Sequence, residues 1–103
     1  MDLATYFKSP GAMTVAELAT AAGIKHVAQI NQWRNPAFGR RPGYEHAAAV
    51  ERATKGACTC EELNSSLPWR RMPDREWPWH PEGKPLIDPL LAEAEQLAEE
   101  VSQ

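Results

Sequence analysis

The chain has 103 residues, 43% of them apolar, and a formal charge of −3. This length suits one small domain with an appendage and excludes two independent hydrophobic cores. No apolar run approaches the roughly 20 residues of a membrane-spanning helix, and the first residues lack the basic-then-apolar pattern of a signal peptide. Cys58 and Cys60 are too close for a good disulfide and too few for a zinc site. We therefore expect a reduced cytoplasmic protein with no metal, no cofactor and no membrane association.

The charge is divided unevenly along the chain. Residues 1–56 carry seven basic and four acidic side chains (+3), whereas residues 57–103 carry four basic and ten acidic ones (−6). The net charge alone argues against a nucleic-acid partner, but such an asymmetry is also typical of an anion-binding module joined to an acidic tail. Chance produces the same asymmetry in some short chains, so charge alone leaves the partner open.

Capping residues predict two short helices at the start of the chain. The first begins after Asp2, a favourable N-cap, and ends at Pro10-Gly11. The second begins with Thr14 and Glu17, which form a capping box. It ends at Gly23, because glycine readily adopts the left-handed conformation that follows a helix.

Three more short helices are predicted before residue 68. The third ends before Pro36, because the residue that precedes a proline avoids the helical region. Pro42 is well placed to start the fourth helix. A second capping box, at residues 59–62, starts the fifth. No stretch of residues 1–67 alternates like a strand, so this part is predicted to be all-helical.

The composition changes after Leu67. Residues 68–89 contain six prolines and three tryptophans, which excludes a regular helix or a central strand. We expect this arm to lie along the helical domain, since three free tryptophans would expose a large apolar surface. The predicted fold is therefore all-α. It comprises a small helix-turn-helix bundle of about five short helices (1–67), a Pro/Trp-rich arm packed on it (68–87) and an acidic amphipathic helix (88–103).

The predicted final helix begins at Asp88-Pro89, an N-cap followed by a proline in the first turn. It is too short to be stable alone, so its apolar stripe needs a surface to pack on. Two interpretations stay open: the stripe folds back on its own domain, or it forms a seam with a second copy or another protein. The residues of that seam are Leu90, Ala94, Leu97 and Val101.

The third helix, from Lys25 or His26 to Arg34, carries the most informative pattern. A tight glycine turn joins it to the second helix. In such a pair the later helix can protrude from the surface and fit the DNA major groove. Helical spacing points Ile30 and Trp33 inward. The opposite face is polar and free of acids, and its amides suit contacts with adenine. The candidate base-reading residues are Lys25, His26, Ala28, Gln29, Asn31 and Gln32.

Basic residues follow this face at positions where phosphates would flank the groove. The candidate phosphate-binding residues are Arg34, Arg40 and Arg41. A plainer interpretation is that any small helical domain has a polar outer face and that loop arginines are simply solvated. Catalysis finds less support. His46, Cys58 and Cys60 lack a fourth metal ligand, and no pattern supplies the orienting group or oxyanion site of a nucleophile, so we predict no enzymatic activity.

Two segments combine into a recognisable pattern. One is Leu18-Ala19-x-x-x-Gly23 followed by Ile30-Asn31-Gln32-Trp33. The other, more specific, runs from Pro42 to Gly56 (PGYEHAAAVERATKG) and continues through Thr59-Cys60-Glu61-Glu62-Leu63 to Trp69. Together they resemble the Cro-type phage regulators, especially the YdaS-like branch, over about residues 1–70. Two features depart from that pattern: the stretch between Gly23 and Ile30 is one residue longer than the usual turn, and residues 71–103 extend beyond it.

The resemblance implies a sequence-specific, double-stranded DNA-binding transcriptional regulator of a phage, prophage or mobile element. A Cro-like repressor of this kind acts by occupying its operator, at the nucleoid of the bacterial cytoplasm or of the infected host cell. One helix contacts too few base pairs for useful specificity, so we expect a homodimer on a two-fold symmetric site. Some relatives are labelled as antitoxins. The alternative is a protein-interaction module that binds a partner protein through residues 88–103 and the tryptophan-rich arm.

Overall fold

The computed structural model describes residues 1–87, so the predicted final helix with Leu90, Ala94, Leu97 and Val101 lies outside the described residues. Helix predominates in the described part, and a two-stranded antiparallel sheet accompanies it. Within this part, no helix is long and apolar enough to cross a membrane. In chain order the elements are α1 (Leu3–Phe7), α2 (Val15–Ala22), α3 (Val27–Arg34), a 3₁₀ helix (Pro36–Phe38), α4 (Tyr44–Ala53), α5 (Cys60–Leu63), β1 (Trp69–Met72) and β2 (Lys84–Ile87).

The predicted caps start three of the helices. The Asp2 carboxylate accepts a hydrogen bond of 2.8 Å from the Thr5 backbone N–H at the start of α1. Thr14 and Glu17 form both bonds of the capping box that starts α2. Thr59 forms the second box, which starts α5. Each cap satisfies backbone N–H groups that have no partner within the helix, which is why these local sequence signals place the helix starts correctly.

The start of α4 differs from the prediction. Gly43, not Pro42, is the N-cap of α4, and the helix itself begins at Tyr44. Pro42 is buried before the helix, where its carbonyl oxygen accepts a hydrogen bond of 3.0 Å from the Asn64 side-chain amide. The same Asn64 is the C-cap of α5, which ends at Leu63. One hydrogen bond therefore joins the segment before α4 to the end of α5.

The helices enclose one apolar core. α2 packs against both α3 and α4, and Leu18, Ile30 and Val50 from these three helices are fully buried. Trp33 is partly buried and packs against this core, as predicted. The other buried apolar residues are Leu3, Tyr6, Ala19, Ala22, Ile24, Ala47, Cys58, Cys60 and Leu63.

The Pro/Trp-rich arm contains a hairpin that the all-α prediction omits. β1 and β2 pair antiparallel, from Trp69 opposite Ile87 to Met72 opposite Lys84. The pairing tolerates Pro85, which lies opposite Arg71, because both strands of a two-stranded sheet are edge strands. The prolines thus exclude a central strand, as predicted, but not an edge strand. The all-α class is correct for the helical part of the chain and incomplete for the arm.

A buried ionic cluster fastens the hairpin to α4 and α5. The Arg71 guanidinium donates to both Glu51 carboxylate oxygens at 2.8 and 2.6 Å and to both Glu61 oxygens at 3.1 and 2.6 Å. Its remaining N–H donates to the Gly83 carbonyl oxygen at 2.9 Å. The Arg71 side chain is 6% exposed and that of Glu51 is fully buried. Two charges are therefore held out of water by hydrogen bonds that satisfy both of them.

Glu51 accepts hydrogen bonds from three residues of this cluster. Besides those from Arg71, it accepts hydrogen bonds from the Cys60 backbone N–H at 3.0 Å and from the Trp77 indole N–H at 2.7 Å. Burial alone would raise the pKa of Glu51, but the hydrogen bonds from Arg71, Cys60 and Trp77 lower it below its ordinary value. Glu51 is therefore held as a carboxylate, which is the form that accepts all of these bonds.

The tryptophans of the arm complete its contacts with the helices. The Trp69 ring stacks on that of Tyr44 with centroids 5.8 Å apart, and its indole N–H donates to the Asn64 carbonyl oxygen at 2.7 Å. Trp77 and Trp79 meet edge to face at 5.0 Å. A side chain at Gly56 would collide with the Trp79 carbonyl oxygen, and the φ of 84° there also favours glycine. All three rings are half-buried against the domain.

Candidate nucleic-acid interface

The turn between α2 and α3 is built around Gly23. This residue adopts the left-handed conformation (φ 70°), and its N–H donates to the Thr20 carbonyl oxygen at 3.3 Å. The next N–H, of Ile24, donates to the Ala19 carbonyl oxygen at 2.8 Å, which completes a Schellman motif. The Ile24 side chain is buried and ties the turn to the core. The four residues between α2 and α3 therefore hold the two helices at a defined angle.

α3 is attached to the core along one side. Ile30 is fully buried, and Trp33 packs on the core with its ring 5.3 Å from the His46 ring. Ile30 is the one fully buried residue of this helix, and Gln29 and Trp33 are half-buried, so the opposite side of the helix faces outward. The candidate base-reading residues Lys25, His26, Ala28, Asn31 and Gln32 are all exposed, and Gln29 is half-buried.

Two of these candidates lie before the helix. α3 begins at Val27, so Lys25 lies in the turn and His26 is the N-cap, without a side-chain capping bond. The expectation that α3 begins at Lys25 or His26 is therefore wrong by one or two residues. The physical reason is the buried Ile24, which extends the turn before the chain can start a new helix. Both side chains remain exposed beside the first turn of α3.

Val27 is a surface residue of α3 that is not among the candidate base-reading residues. Its side chain is 40% exposed, although valine is apolar. It lies four residues before Asn31, so the two side chains are neighbours on one helix face. A helical wheel could not predict this exposure. The wheel shows the direction of each side chain from the helix axis, but it does not show which of these directions the core covers.

The surroundings of α3 carry a local positive charge. No Asp or Glu occurs between Glu17 and Glu45, while Lys25, Arg34, Arg40 and Arg41 fall in that stretch. All four basic side chains are exposed. Because salt screens exposed charges beyond about 8–10 Å, the field at α3 depends on these near neighbours more than on the net charge of −3.

The three candidate phosphate-binding arginines line a single cleft of about 300 Å³. Arg34 lies at the end of α3, and its guanidinium carbon is 5.4 Å from the centroid of the Phe7 ring. Arg40 and Arg41 follow the 3₁₀ helix, where Gly39 adopts the left-handed conformation. Arg41 donates a hydrogen bond of 3.2 Å to the Ser65 hydroxyl. Within residues 1–87, none of the three arginines forms a salt bridge.

The two cysteines are buried structural residues. Burial raises the pKa of Cys58 to about 11 and raises that of Cys60 above its ordinary range. Both thiols are thus protonated near neutral pH, which is the unreactive form. In the part of the chain that the structure describes, no group of three or more His, Cys, Asp and Glu side chains is placed to hold a metal ion.

Comparison of this chain with models of protein families, with curated proteins and with solved structures finds no match.

Proposed function

We propose that the protein is a sequence-specific, double-stranded DNA-binding regulator that acts by occupying its operator. One observation carries this proposal: a helix held by a glycine turn and by Ile30 presents a polar, acid-free face to solvent. This is the placement that a helix needs to enter the major groove. The resemblance to Cro-type phage regulators supports the same function.

The exposed side chains of α3 suit the edges of base pairs. Asn31 and Gln32 each offer one amide that donates and accepts at once, which matches the N6 and N7 groups of adenine. Ala28 has a small side chain that allows the helix axis to approach the bases. Val27 adds an apolar surface that suits the C5-methyl group of thymine. Lys25 and His26 lie beside the first turn, where they reach bases or phosphates at the groove edge.

Arg34, Arg40 and Arg41 supply the attraction for the DNA backbone. Contacts to phosphate orient a protein on DNA without reading its sequence, and they make the affinity fall as salt rises. Two copies of the chain on a two-fold symmetric site would double the contacts, with half-sites spaced by about one helical turn.

The packing of the tryptophans favours DNA binding over the partner-binding alternative. Trp69, Trp77 and Trp79 contact their own domain, so these rings are engaged within the chain. The partner-binding alternative therefore relies on residues 88–103, which lie outside the described residues.

Selection from a pool of random duplexes tests the proposal. We expect the purified protein at moderate salt to enrich a two-fold symmetric sequence with half-sites spaced by about 10 base pairs. A footprint on the enriched duplex should then protect both half-sites. A matched variant, Asn31→Ala with Gln32→Ala, should lose the enrichment and keep the fold, since both side chains are exposed. If the protein enriches no sequence over the random pool, the proposal is wrong.

A further inference from the structure

We propose that the cleft lined by Arg34, Arg40 and Arg41 is a binding site for one phosphate group. Arg40 and Arg41 follow Arg34 by six and seven positions in the chain. The structure places all three on the wall of one cleft. The proposal rests on the proposed function only for the source of the phosphate, which is either the DNA backbone or a free phosphorylated molecule.

The acids of the cleft leave the positive charge in excess. Asp2 and Glu62 also line the cleft, but both carboxylates are engaged within the chain. Asp2 caps α1, and the hydrogen bond from the Thr5 N–H keeps its pKa below the ordinary value. Glu62 lies 2.6 Å from the Met1 amino group and accepts hydrogen bonds from Thr59. The cleft is therefore lined by three arginines and two acids, and the Met1 amino group already balances the charge of Glu62.

Two of the arginines contact other side chains of the domain without any ligand. The Phe7 ring supports the Arg34 guanidinium, and the Ser65 hydroxyl accepts a hydrogen bond from Arg41. A preorganised guanidinium loses less freedom when it binds an anion, and its fork geometry matches two phosphate oxygens. Arg40 lies beside them in an exposed loop and can complete the set of donors.

Apolar side chains also line the cleft, among them those of Leu3, Trp33 and Leu63. Its volume of about 300 Å³ is at the small end of the range of ligand sites. A lining of both charged and apolar side chains suits a phosphate group carried by a sugar better than it suits a bare ion.

Titration of the full chain with inorganic phosphate and with a nucleoside 5′-monophosphate tests the site directly, at constant ionic strength. The probe is the NMR signal of each arginine Nε–H group. We expect saturable shifts at Arg34, Arg40 and Arg41, and none at the exposed Arg52 and Arg75, which do not line the cleft. Arg40→Gln should weaken binding by about tenfold, the effect of losing one charge-assisted contact, whereas Arg52→Gln should leave it unchanged.

A duplex DNA arm identifies the source of the phosphate. If one backbone phosphate occupies the cleft, replacing all three arginines by glutamine should lower the slope of log affinity against log salt by about 0.9 for each bound copy of the chain, not by about 2.7. Saturable shifts with the free phosphates alone would instead assign the cleft to a small phosphorylated molecule. Equal shifts at all five arginines, no shift with either kind of ligand, or a loss of about 2.7 in slope for each bound copy would each overturn the proposal.

These results also separate the inference from the proposed function. Phosphate binding in the cleft without sequence-specific DNA binding would keep the inference and remove the proposed function. Sequence-specific DNA binding with no response from the cleft arginines would remove the inference and keep the proposed function.

Discussion

The hairpin anchor and the α3 surface use polar side chains in opposite ways. At the anchor, Arg71 engages all five of its N–H donors with Glu51, Glu61 and the Gly83 carbonyl. At the α3 surface, amides and cations point to solvent, and Arg34 contacts an aromatic ring but no described carboxylate. The same residue type thus has two roles, and the difference is whether carboxylates of the chain reach it.

This contrast predicts which measurement each substitution affects. A buried charge that loses its partner keeps the cost of desolvation, so changes at the anchor should lower the free energy of unfolding. Substitution of an exposed side chain removes only the contacts that this side chain makes with its ligand. Changes on the α3 surface should therefore alter DNA affinity and leave the free energy of unfolding almost unchanged.

The largest effect is expected from Arg71→Met, which leaves Glu51 buried without its cation. We expect the free energy of unfolding to fall by about 3–5 kcal/mol, as measured by urea denaturation. Arg75→Met, at an exposed position between the two strands, is the matched control and should change it by less than about 0.5 kcal/mol. If Arg71→Met does not fold, adding Glu51→Gln should restore part of the stability, because it removes the uncompensated charge.

Acid should reduce the difference in the free energy of unfolding between the wild type and Arg71→Met. The pKa of Glu51 is lowered in the folded protein from an ordinary value of 4.5. Its stabilising contribution is therefore fully present above about pH 4.5 and is lost as the pH falls through the lowered value. In Arg71→Met, burial dominates and the carboxyl gains a proton readily, so acid relieves the unpaired charge. Unfolding curves from pH 7 to 3 measure both proteins, and a constant difference would show that the cluster adds no pH-dependent stability.

These two regions also show what the sequence could predict. Caps and turns are local, so Asp2, Thr14 and Gly23 indicated their helix ends correctly. The anchor joins residues 10 to 26 positions apart, Arg71 with Glu61 and Glu51 with Trp77, and no periodicity marks such a pairing. The hairpin went unpredicted because the prolines that exclude a central strand also masked two edge strands. The cleft also went unpredicted, because the residues that line it come from distant parts of the chain.

At the α3 surface, Gln32→Ala should alter specificity without altering stability. The side chain is exposed, so the free energy of unfolding should change by less than about 0.5 kcal/mol. Loss of a bidentate contact should reduce discrimination at one base pair of the selected site by about 1–3 kcal/mol. Binding to every single-base variant of that site measures the change. A uniform loss at all variants would mean that Gln32 contacts the backbone and not a base.

The smallest effect is expected at Val27, where one methyl group of DNA can be removed without changing the protein. Replacing a contacted thymine by uracil deletes only the C5-methyl group, so wild-type affinity should fall by about 0.8 kcal/mol, roughly fourfold. Val27→Ala should bind the thymine and uracil duplexes more equally, because the apolar surface that meets the methyl group is reduced. The double-mutant cycle isolates this contact from other effects of either change. Equal sensitivity to uracil in both proteins would remove Val27 from the base-reading face.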